Sequence, residues 1–309
     1  MWASIISVFL ALAVGYLAQR TGLCMVRGTH ELWAKRPAFL LTILLCGFWF
    51  WLILPSNMPL PDTFSHQRYS VTSAFLFGGF CFGLGASLNG GCSVSTISKL
   101  ARGHYHMVAT IMGWIIGWCG LSSLPLTLSY SAIPAIESPS LTVVIMLFVL
   151  ISLILFVIPT ERRAILIGIV FFGILASVLT LLLPEWSPSQ LLKDITAASI
   201  HNQPERWPDL LRYIVIIFLI VGMALGAKKR LSLAEFTLRP MQLLKHLFAG
   251  CIMGIGASLA LGGNDSQLLL ALPSFSPAGA ISIAMMVVGI SCGIGLKRWF
   301  SKLSHGSKE

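Results

Sequence analysis

Two cysteines that follow glycine at the end of an apolar stretch are the residues best suited to chemistry in this sequence. Cys24 ends the run Gly22-Leu23-Cys24, and Cys92 directly follows Gly91. A thiol is a weak donor and a soft acceptor, so it suits a soft sulfur-bearing ligand better than a hard oxyanion. The other five cysteines lie within apolar stretches, where a cysteine packs as a small hydrophobic residue. They are Cys46, Cys81, Cys119, Cys251 and Cys292.

The cysteine spacing also limits the kinds of site that the chain can hold. No two cysteines form a CxxC pair. Neither a disulfide framework nor a zinc site is therefore expected. We expect no metal and no other cofactor.

The residues after Cys92 predict a helix start that could bind an anion. The pair Gly90-Gly91 is expected to break the preceding helix, and Ser93 begins a short helix as a residue near its N-cap. The unpaired N–H groups of such a helix end favour negative charge. Gly91 and Ser93 are therefore candidate substrate-binding residues together with Cys24 and Cys92.

A second break is expected at Gly263. Asn264 is predicted to be the N-cap of the next helix, and Gln267 occupies the third position of a capping-box pattern. One hypothesis is that the two helix starts face a single anion, which makes Gly263 and Asn264 candidate binding residues. The alternative is that both are ordinary caps. Asp265 suits a helix N-terminus, but its charge would repel an anion held close by.

Composition places these residues in a membrane protein. Apolar residues make up 56% of the 309 residues, charged residues only 10%, and the mean hydropathy is +0.85. Soluble domains carry about 25% charged residues. The net charge of +10 fits cytoplasmic loops of a membrane protein, so nucleic-acid binding is excluded.

Nine apolar stretches are long enough to be transmembrane helices. No basic residue precedes the first of them, so we expect a retained span and no cleaved signal peptide. The connections 55–70 and 185–209 are polar and are predicted to be loops. The predicted spans are 2–19, 37–54, 71–89, 105–122, 141–159, 164–183, 210–227, 245–261 and 277–296.

Lysine and arginine positions predict the orientation of the chain. The loops after the first, third, fifth and seventh spans and the C-terminal tail hold 17 of the 21 basic residues. By the positive-inside rule, the N-terminus lies outside and the C-terminus lies in the cytoplasm. We therefore expect a multi-pass protein of a bacterial inner membrane, surrounded by lipid.

An internal repeat suggests how the two helix breaks are related. Residues 79–88 read GFCFGLGASL and residues 250–259 read GCIMGIGASL, with six of ten positions identical. A glycine pair follows each copy. Small-xxx-small spacing alone recurs in membrane helices, but it does not explain the shared GASL and glycine pair. The predicted spans carry the two copies in opposite directions, which is typical of transporters built from inverted repeats.

The predicted fold is therefore all-α, with about nine transmembrane helices in an inverted repeat and short broken or re-entrant helices. We treat the chain as a single membrane domain, 1–309. Its predicted divisions are a first half at 1–122, connecting spans and an external loop at 123–209, a second half at 210–296 and a cytoplasmic tail at 297–309.

Three motifs together resemble the YeeE/YedE family of sulfur-compound transporters. They are GLC at 22–24, GASLNGGCS at 85–93 and GASLALGG at 256–263. The resemblance implies a nine-span inverted-repeat fold with an hourglass-like interior, and uptake of thiosulfate or a related sulfur species. It also implies a cytoplasmic TusA-like sulfur carrier as a partner.

The resemblance further implies a role for the cysteines. In that family, cysteines along the path hand thiosulfate on through S–H hydrogen bonds to sulfur, and Cys24 and Cys92 match two of them. The third family cysteine corresponds to Gly263. This departure leaves another sulfur species, or a selenium species, open as the substrate.

We expect a transporter without enzymatic activity, and two other hypotheses remain. One is a membrane-bound sulfur-transfer enzyme with Cys92 as a persulfide-forming nucleophile, which needs a low thiol pKa and a nearby base. The other is a purely structural membrane protein. Broken helices argue against the latter, because they forfeit backbone hydrogen bonds.

Overall fold

Helices account for most of the chain. A computed structural model describes residues 2–54, 68–124, 129–134, 160–201, 207–227 and 239–306, with isolated positions between 142 and 153. Within these ranges no strand is present, and the isolated bridge there pairs Tyr69 with Ala132. The helices are α1 (Trp2–Thr21), α2 (Met25–Trp33), α3 (Ala38–Leu45), α4 (Phe50–Ile53), α5 (Ser73–Asn89), α6 (Ser93–Ala101), α7 (Met107–Ser122), α8 (Thr160–Leu182), α9 (Pro188–His201), α10 (Leu210–Gly226), α11 (Pro240–Leu259), α12 (Asn264–Ser266) and α13 (Pro277–Gly306).

The helices match eight of the nine predicted spans. Five helical stretches are long and apolar enough to cross a membrane, and three shorter apolar stretches accompany them. The predicted span 141–159 lies largely outside the described residues, as does most of the predicted loop 55–70. The chain is an all-α, multi-pass membrane protein.

The prediction of a loop at 185–209 is wrong, because this connection contains helix α9. Pro188 begins the helix, where its missing N–H is not needed and its fixed φ suits the first turn. Some of the polar residues that suggested a loop are instead buried, among them Ser187, Gln190 and Ser189, the last at 1% exposure. Buried Arg212 of α10 anchors the segment, with Nη2 at 2.7 Å from Asp194 Oδ2 and Nη1 at 3.1 Å from Glu185 Oε2.

Glycine faces hold the long helices together. Helix α11 packs between α5 and α7, α5 also packs on α13, and α1 packs between α8 and α10. A Cβ at Gly117 of α7 would overlap the carbonyl oxygen of Cys251 in α11, and one at Gly250 would overlap that of Thr110. A Cβ at Gly83 of α5 would likewise overlap the Met286 carbonyl of α13. Backbones therefore touch directly, as small residues permit in membrane helices.

A tight reversal after α5 brings the next helix start into the interior. Gly90 adopts a left-handed φ of 73°, and the Gly91 N–H donates to the Ala86 carbonyl at 2.9 Å. Lys99 Nζ donates to the Gly90 carbonyl at 2.7 Å, so the far end of α6 lies beside the reversal. Cys92, which opens α6, is thereby placed inside the protein at 1% exposure.

Candidate functional site

The two predicted thiols meet in the interior. Cys24 is the N-cap of α2 and Cys92 is the N-cap of α6. Their Sγ atoms lie 4.0 Å apart, and both are buried. Ser95 Oγ lies 3.3 Å from Cys24 Sγ and 3.6 Å from Cys92 Sγ. The Ser95 hydroxyl also donates to the Cys92 carbonyl at 3.1 Å, so the two S–H groups and the hydroxyl are bonded to one another and would exchange these partners for a ligand.

A small pocket, with a cavity volume of about 20 Å³, lies beside the thiol pair. It contains a third thiol, that of Cys46, which sequence reasoning assigned to the apolar packing. Cys46 begins a 3₁₀ turn, Cys46–Trp49, that interrupts its transmembrane segment. In the sequence, the next residue, Gly47, is the sign of this interruption. The backbone of the segment after α12 packs directly against Gly47. The pocket is lined by Leu23, Cys24, Met25, Ile43, Cys46, Cys92, Val94, Phe172, Asn264, Asp265, Leu268 and Leu269.

The two predicted helix starts do face each other, but their caps differ from the prediction. Cys92 and not Ser93 is the N-cap of α6, and Gly263 and not Asn264 is the N-cap of α12. The Asn264 side chain instead caps the opposite helix: its Oδ1 accepts from the Ser93 N–H at 3.2 Å and from the Ser93 hydroxyl at 2.6 Å. The N-terminus of α6 is thus already occupied by an internal oxygen.

The capping box predicted for Gln267 is absent. With Gly263 as the N-cap, the third position belongs to Ser266. Gln267 Nε2 donates to the Ala260 carbonyl at 2.6 Å, and the side chain helps to hold the break between α11 and α12.

Asp265 is a polar residue of the site that was not among the binding residues predicted from the sequence. It is 2% exposed, and its Oδ2 accepts from the Ser189 N–H at the start of α9 at 2.9 Å. Its Oδ1 lies 3.0 Å from Ser93 Oγ. The carboxyl group therefore joins α6, α9 and α12. Its partner Ser189 could not be found while residues 185–209 were taken for a loop.

The two candidate glycines serve the site through the space they leave. The Gly91 carbonyl accepts from Asn89 Nδ2 at 3.0 Å, and a Cβ on Gly91 would lie 2.6 Å from Ser95 Oγ. A Cβ on Gly263 would lie 2.9 Å from both Asp265 Oδ1 and Ser189 Cβ. A side chain at position 263 thus competes with Asp265 and Ser189 for the same space.

A polar layer lies behind the thiols, around Asn89. Its Oδ1 accepts from the Thr110 hydroxyl at 2.7 Å and lies 2.8 Å from His246 Nδ1, while its Nδ2 donates to Thr96 Oγ1 at 2.8 Å. The His246 ring stacks on His106, with the centroids 4.6 Å apart.

Cations surround the end of this polar layer. The positive charges of Lys99, Lys245 and Lys297 act on His246. Arg102 acts in the same way on Lys99. Burial and the nearby Arg102 lower the pKa of His104. We therefore expect His104 to be neutral at pH 7 and the charge at this face to come from lysine and arginine.

Comparison with known families identifies the chain. A family model described as sulphur transport matches residues 20–166 and 206–292. The chain belongs to the sulphur transport family. The match covers most of the chain and confirms the resemblance to the YeeE/YedE family seen in its motifs. A comparison with curated proteins gives no match.

The family match covers most of the site, with one exception. Cys24, Cys92, Ser93 and Asn264 all fall within the matched segments. Residues 167–205 lie between those segments, and they include Ser189, the partner of Asp265. The site therefore combines residues within the family match with a contact from outside it.

Proposed function

We propose that this protein is an inner-membrane transporter that takes up a small sulfur-containing anion, such as thiosulfate, into the cytoplasm. The observation that carries the proposal is the junction itself, where Cys24 and Cys92 meet beside a pocket inside a chain of the sulphur transport family. A sulfur transporter needs a buried point at which hydrogen bonds from the protein replace those from water around the anion. We take this junction to be that point.

The donors of the junction fit an anion with a soft sulfur end. The thiols of Cys24 and Cys92 and the Ser95 hydroxyl can each donate one weak or moderate hydrogen bond. Outside the pocket lining, the Trp114 ring approaches Gly263, and its buried indole N–H has no partner among the described residues. Neutral donors hold an anion without trapping it, since a fully paired buried charge would be hard to release.

Packing supports an inverted repeat, with boundaries that differ from those drawn on sequence. Helix α5 packs on α13, and α11 packs on α7; α1 packs on α10, and α8 packs on α3 and α4. Each relation has its counterpart if α1–α7 are equivalent to α8–α13. Under that equivalence, α9 is the counterpart of α2, and residues 160–201 join the second half.

The charge distribution supports the direction of uptake. With the N-terminus outside, the basic residues around α6 and α11 face the cytoplasm, where they would draw the anion inward. The same face would receive a TusA-like sulfur carrier, the partner that the family resemblance implies. Lys245 of α11 and Lys297 of α13 lie close enough for their charges to repel each other, which places both in this basic region.

The alternative is a sulfur-transfer enzyme with Cys92 as the nucleophile. Its Sγ lies beside another thiol and a hydroxyl, at Cys24 and Ser95, and neither is a strong base. The family also consists of transporters. The geometry therefore favours passage of the intact anion over covalent transfer.

Uptake of labelled thiosulfate tests the proposal. A bacterial host that lacks its own thiosulfate uptake should accumulate label and grow on thiosulfate when it carries this protein. Purified protein in vesicles should take up intact thiosulfate, with both sulfur atoms labelled. Appearance of sulfite with a persulfide on Cys92 would support the enzyme instead, and absence of uptake in both systems would refute the proposal.

A further inference from the structure

The positive charge of Lys99 in α6 lies close to the thiol junction, across Gly91. A Cβ on Gly91 would lie 2.6 Å from Ser95 Oγ and 3.5 Å from Lys99 Nζ. Ser95 Oγ is itself 3.3 Å from Cys24 Sγ. Lys99 is also within electrostatic reach of both Cys24 and Cys92. The space that Gly91 leaves empty therefore borders both the junction and the lysine.

Lys99 also lies where the interior of the protein meets its surface. Gly91 is buried, while its neighbour Gly90 is exposed. Lys99 Nζ donates to the Gly90 carbonyl at 2.7 Å, and the lysine side chain is partly exposed. An ammonium group has three N–H donors, and this bond uses one of them. The other two donors can hold an anion that leaves the junction.

A second ammonium group approaches the same helix end from α13. Lys297 Nζ donates to the Ser87 carbonyl, in the last turn of α5. The Gly90 N–H donates to that same carbonyl at 3.1 Å. Lys99 and Lys297 thus hold carbonyl groups of one helix end. The charge of Lys245 in α11 acts on both of them.

The three lysines carry more positive charge than this helix end needs. The C-terminal end of a helix carries about half a negative charge, which a single lysine already offsets. Among the residues that the structure describes, Lys99, Lys245 and Lys297 form no ion pair with a carboxylate. Cations held together in this way repel one another, so their arrangement favours an anion between them.

We propose that Lys99 and Lys297, with the charge of Lys245, form a second binding site for the transported sulfur-containing anion, on the cytoplasmic side of the thiol junction. This inference rests on the proposed function, and we call the three lysines the exit site. The anion leaves the neutral thiols, passes the side of Gly91 and is held by the ammonium groups before it enters the solution. The exit site thereby speeds its release from the thiols.

Lys99→Gln tests the charge, because the amide keeps a donor for the Gly90 carbonyl. The purified variant is placed in vesicles of phosphatidylcholine, which contain neither acidic lipid nor a partner protein. Uptake of labelled thiosulfate should fall about tenfold, as expected for the loss of one hydrogen bond from a charged donor. Lys99→Arg keeps the charge and should retain uptake. Lys35→Gln removes a positive charge from the exposed connection after α2 and should leave uptake unchanged.

A second variant tests the charge without removing a ligand of the α5 carbonyls that Lys99 and Lys297 hold. Lys245 lies at an exposed position of α11. Lys245→Gln should slow uptake about threefold, as expected for a charge that acts through water. Thermal unfolding of the purified variants measures stability separately. A lower melting temperature in Lys99→Gln together with unchanged uptake by Lys245→Gln would overturn the exit site, because Lys99 would then serve only as a cap of α5.

Three other outcomes would also overturn the exit site. The first is equal uptake by Lys99→Gln and the parent. The second is an equal loss in Lys35→Gln, which would indicate a general surface potential. The third is a loss in Lys99→Gln that occurs in cells and not in the vesicles, which would indicate docking of a partner. The parent still takes up thiosulfate in each case, so the proposed function stands. Absence of uptake by the parent would refute the proposed function itself.

Discussion

The Cys46 side chain shares the pocket with Cys24 and Cys92, although it belongs to a different transmembrane segment. Sequence position separated Cys24 and Cys92 from the other cysteines because each of the two follows glycine at the end of an apolar span. Cys46 has its glycine on the other side, at Gly47, and so it resembled an ordinary apolar residue. The pocket therefore contains three thiols even though position 263 is glycine.

Replacing the three classes of cysteine should give three different results. Cys92→Ala should abolish uptake, because it removes the donor at the start of α6. Cys46→Ala should weaken binding by about fivefold, the equivalent of one lost hydrogen bond of about 1 kcal/mol. Cys292→Ala should have no effect, because that side chain is exposed on the outer surface of the helices. Uptake of labelled thiosulfate measures all three.

Equal uptake by Cys92→Ala and the parent would contradict a role for the thiol. Equal uptake by Cys46→Ala and the parent would show that the third thiol is only part of the packing. Surface expression of each variant controls for its stability.

Most of the candidate residues could be predicted from the sequence, because glycines mark the points where the helices break. Ser93 and Asn264 were found in this way, but their contact joins positions 171 residues apart and no local pattern contains it. The cap positions were wrong for the same reason: Asn264 satisfies the opposite helix and leaves its own start to Gly263. Long-range contacts decide which local possibility is realised.

At the scale of elements, α9 shows where composition misleads. Polar residues in a membrane protein suggest an exposed connection, and those of 185–209 were interpreted in this way. Here Ser187, Ser189 and Gln190 are buried, because the segment packs against α6, α7, α10 and α12 in the interior. The long apolar spans were predictable since each meets the length needed to cross the bilayer.

Helix α7 offers a matched test of the glycine contacts. Gly117→Ala should destabilise the protein by about 1–3 kcal/mol, since the added methyl group would overlap the Cys251 backbone. Gly120→Ala lies in the same helix with open space around it and should stabilise by up to about 1 kcal/mol. Thermal unfolding of the purified variants measures the difference. Equal melting temperatures would contradict the close approach of α7 and α11.

At the scale of the whole molecule, the orientation can be tested with single labels. Ser199→Cys in α9 should react with a membrane-impermeant maleimide added outside, because Ser199 is exposed and the segment is expected to face outward. Ser232→Cys, in a segment outside the described residues, should react only after the membrane is opened. Both belong in a background that carries Cys292→Ser. Reaction of Ser232→Cys alone from outside would reverse the orientation, and with it the direction of uptake.

The direct backbone contacts between α7 and α11, and between α5 and α13, restrict the kind of motion available. Rocking of one half against the other would have to separate these contacts. The parts left free to move are side chains and the anion, and such motions are faster than the microsecond-to-millisecond rearrangement of domains. Uptake by vesicles should accordingly change only shallowly with temperature, as it does for permeation through a narrow pore. A steep temperature dependence would indicate that the glycine-packed helices come apart in every cycle.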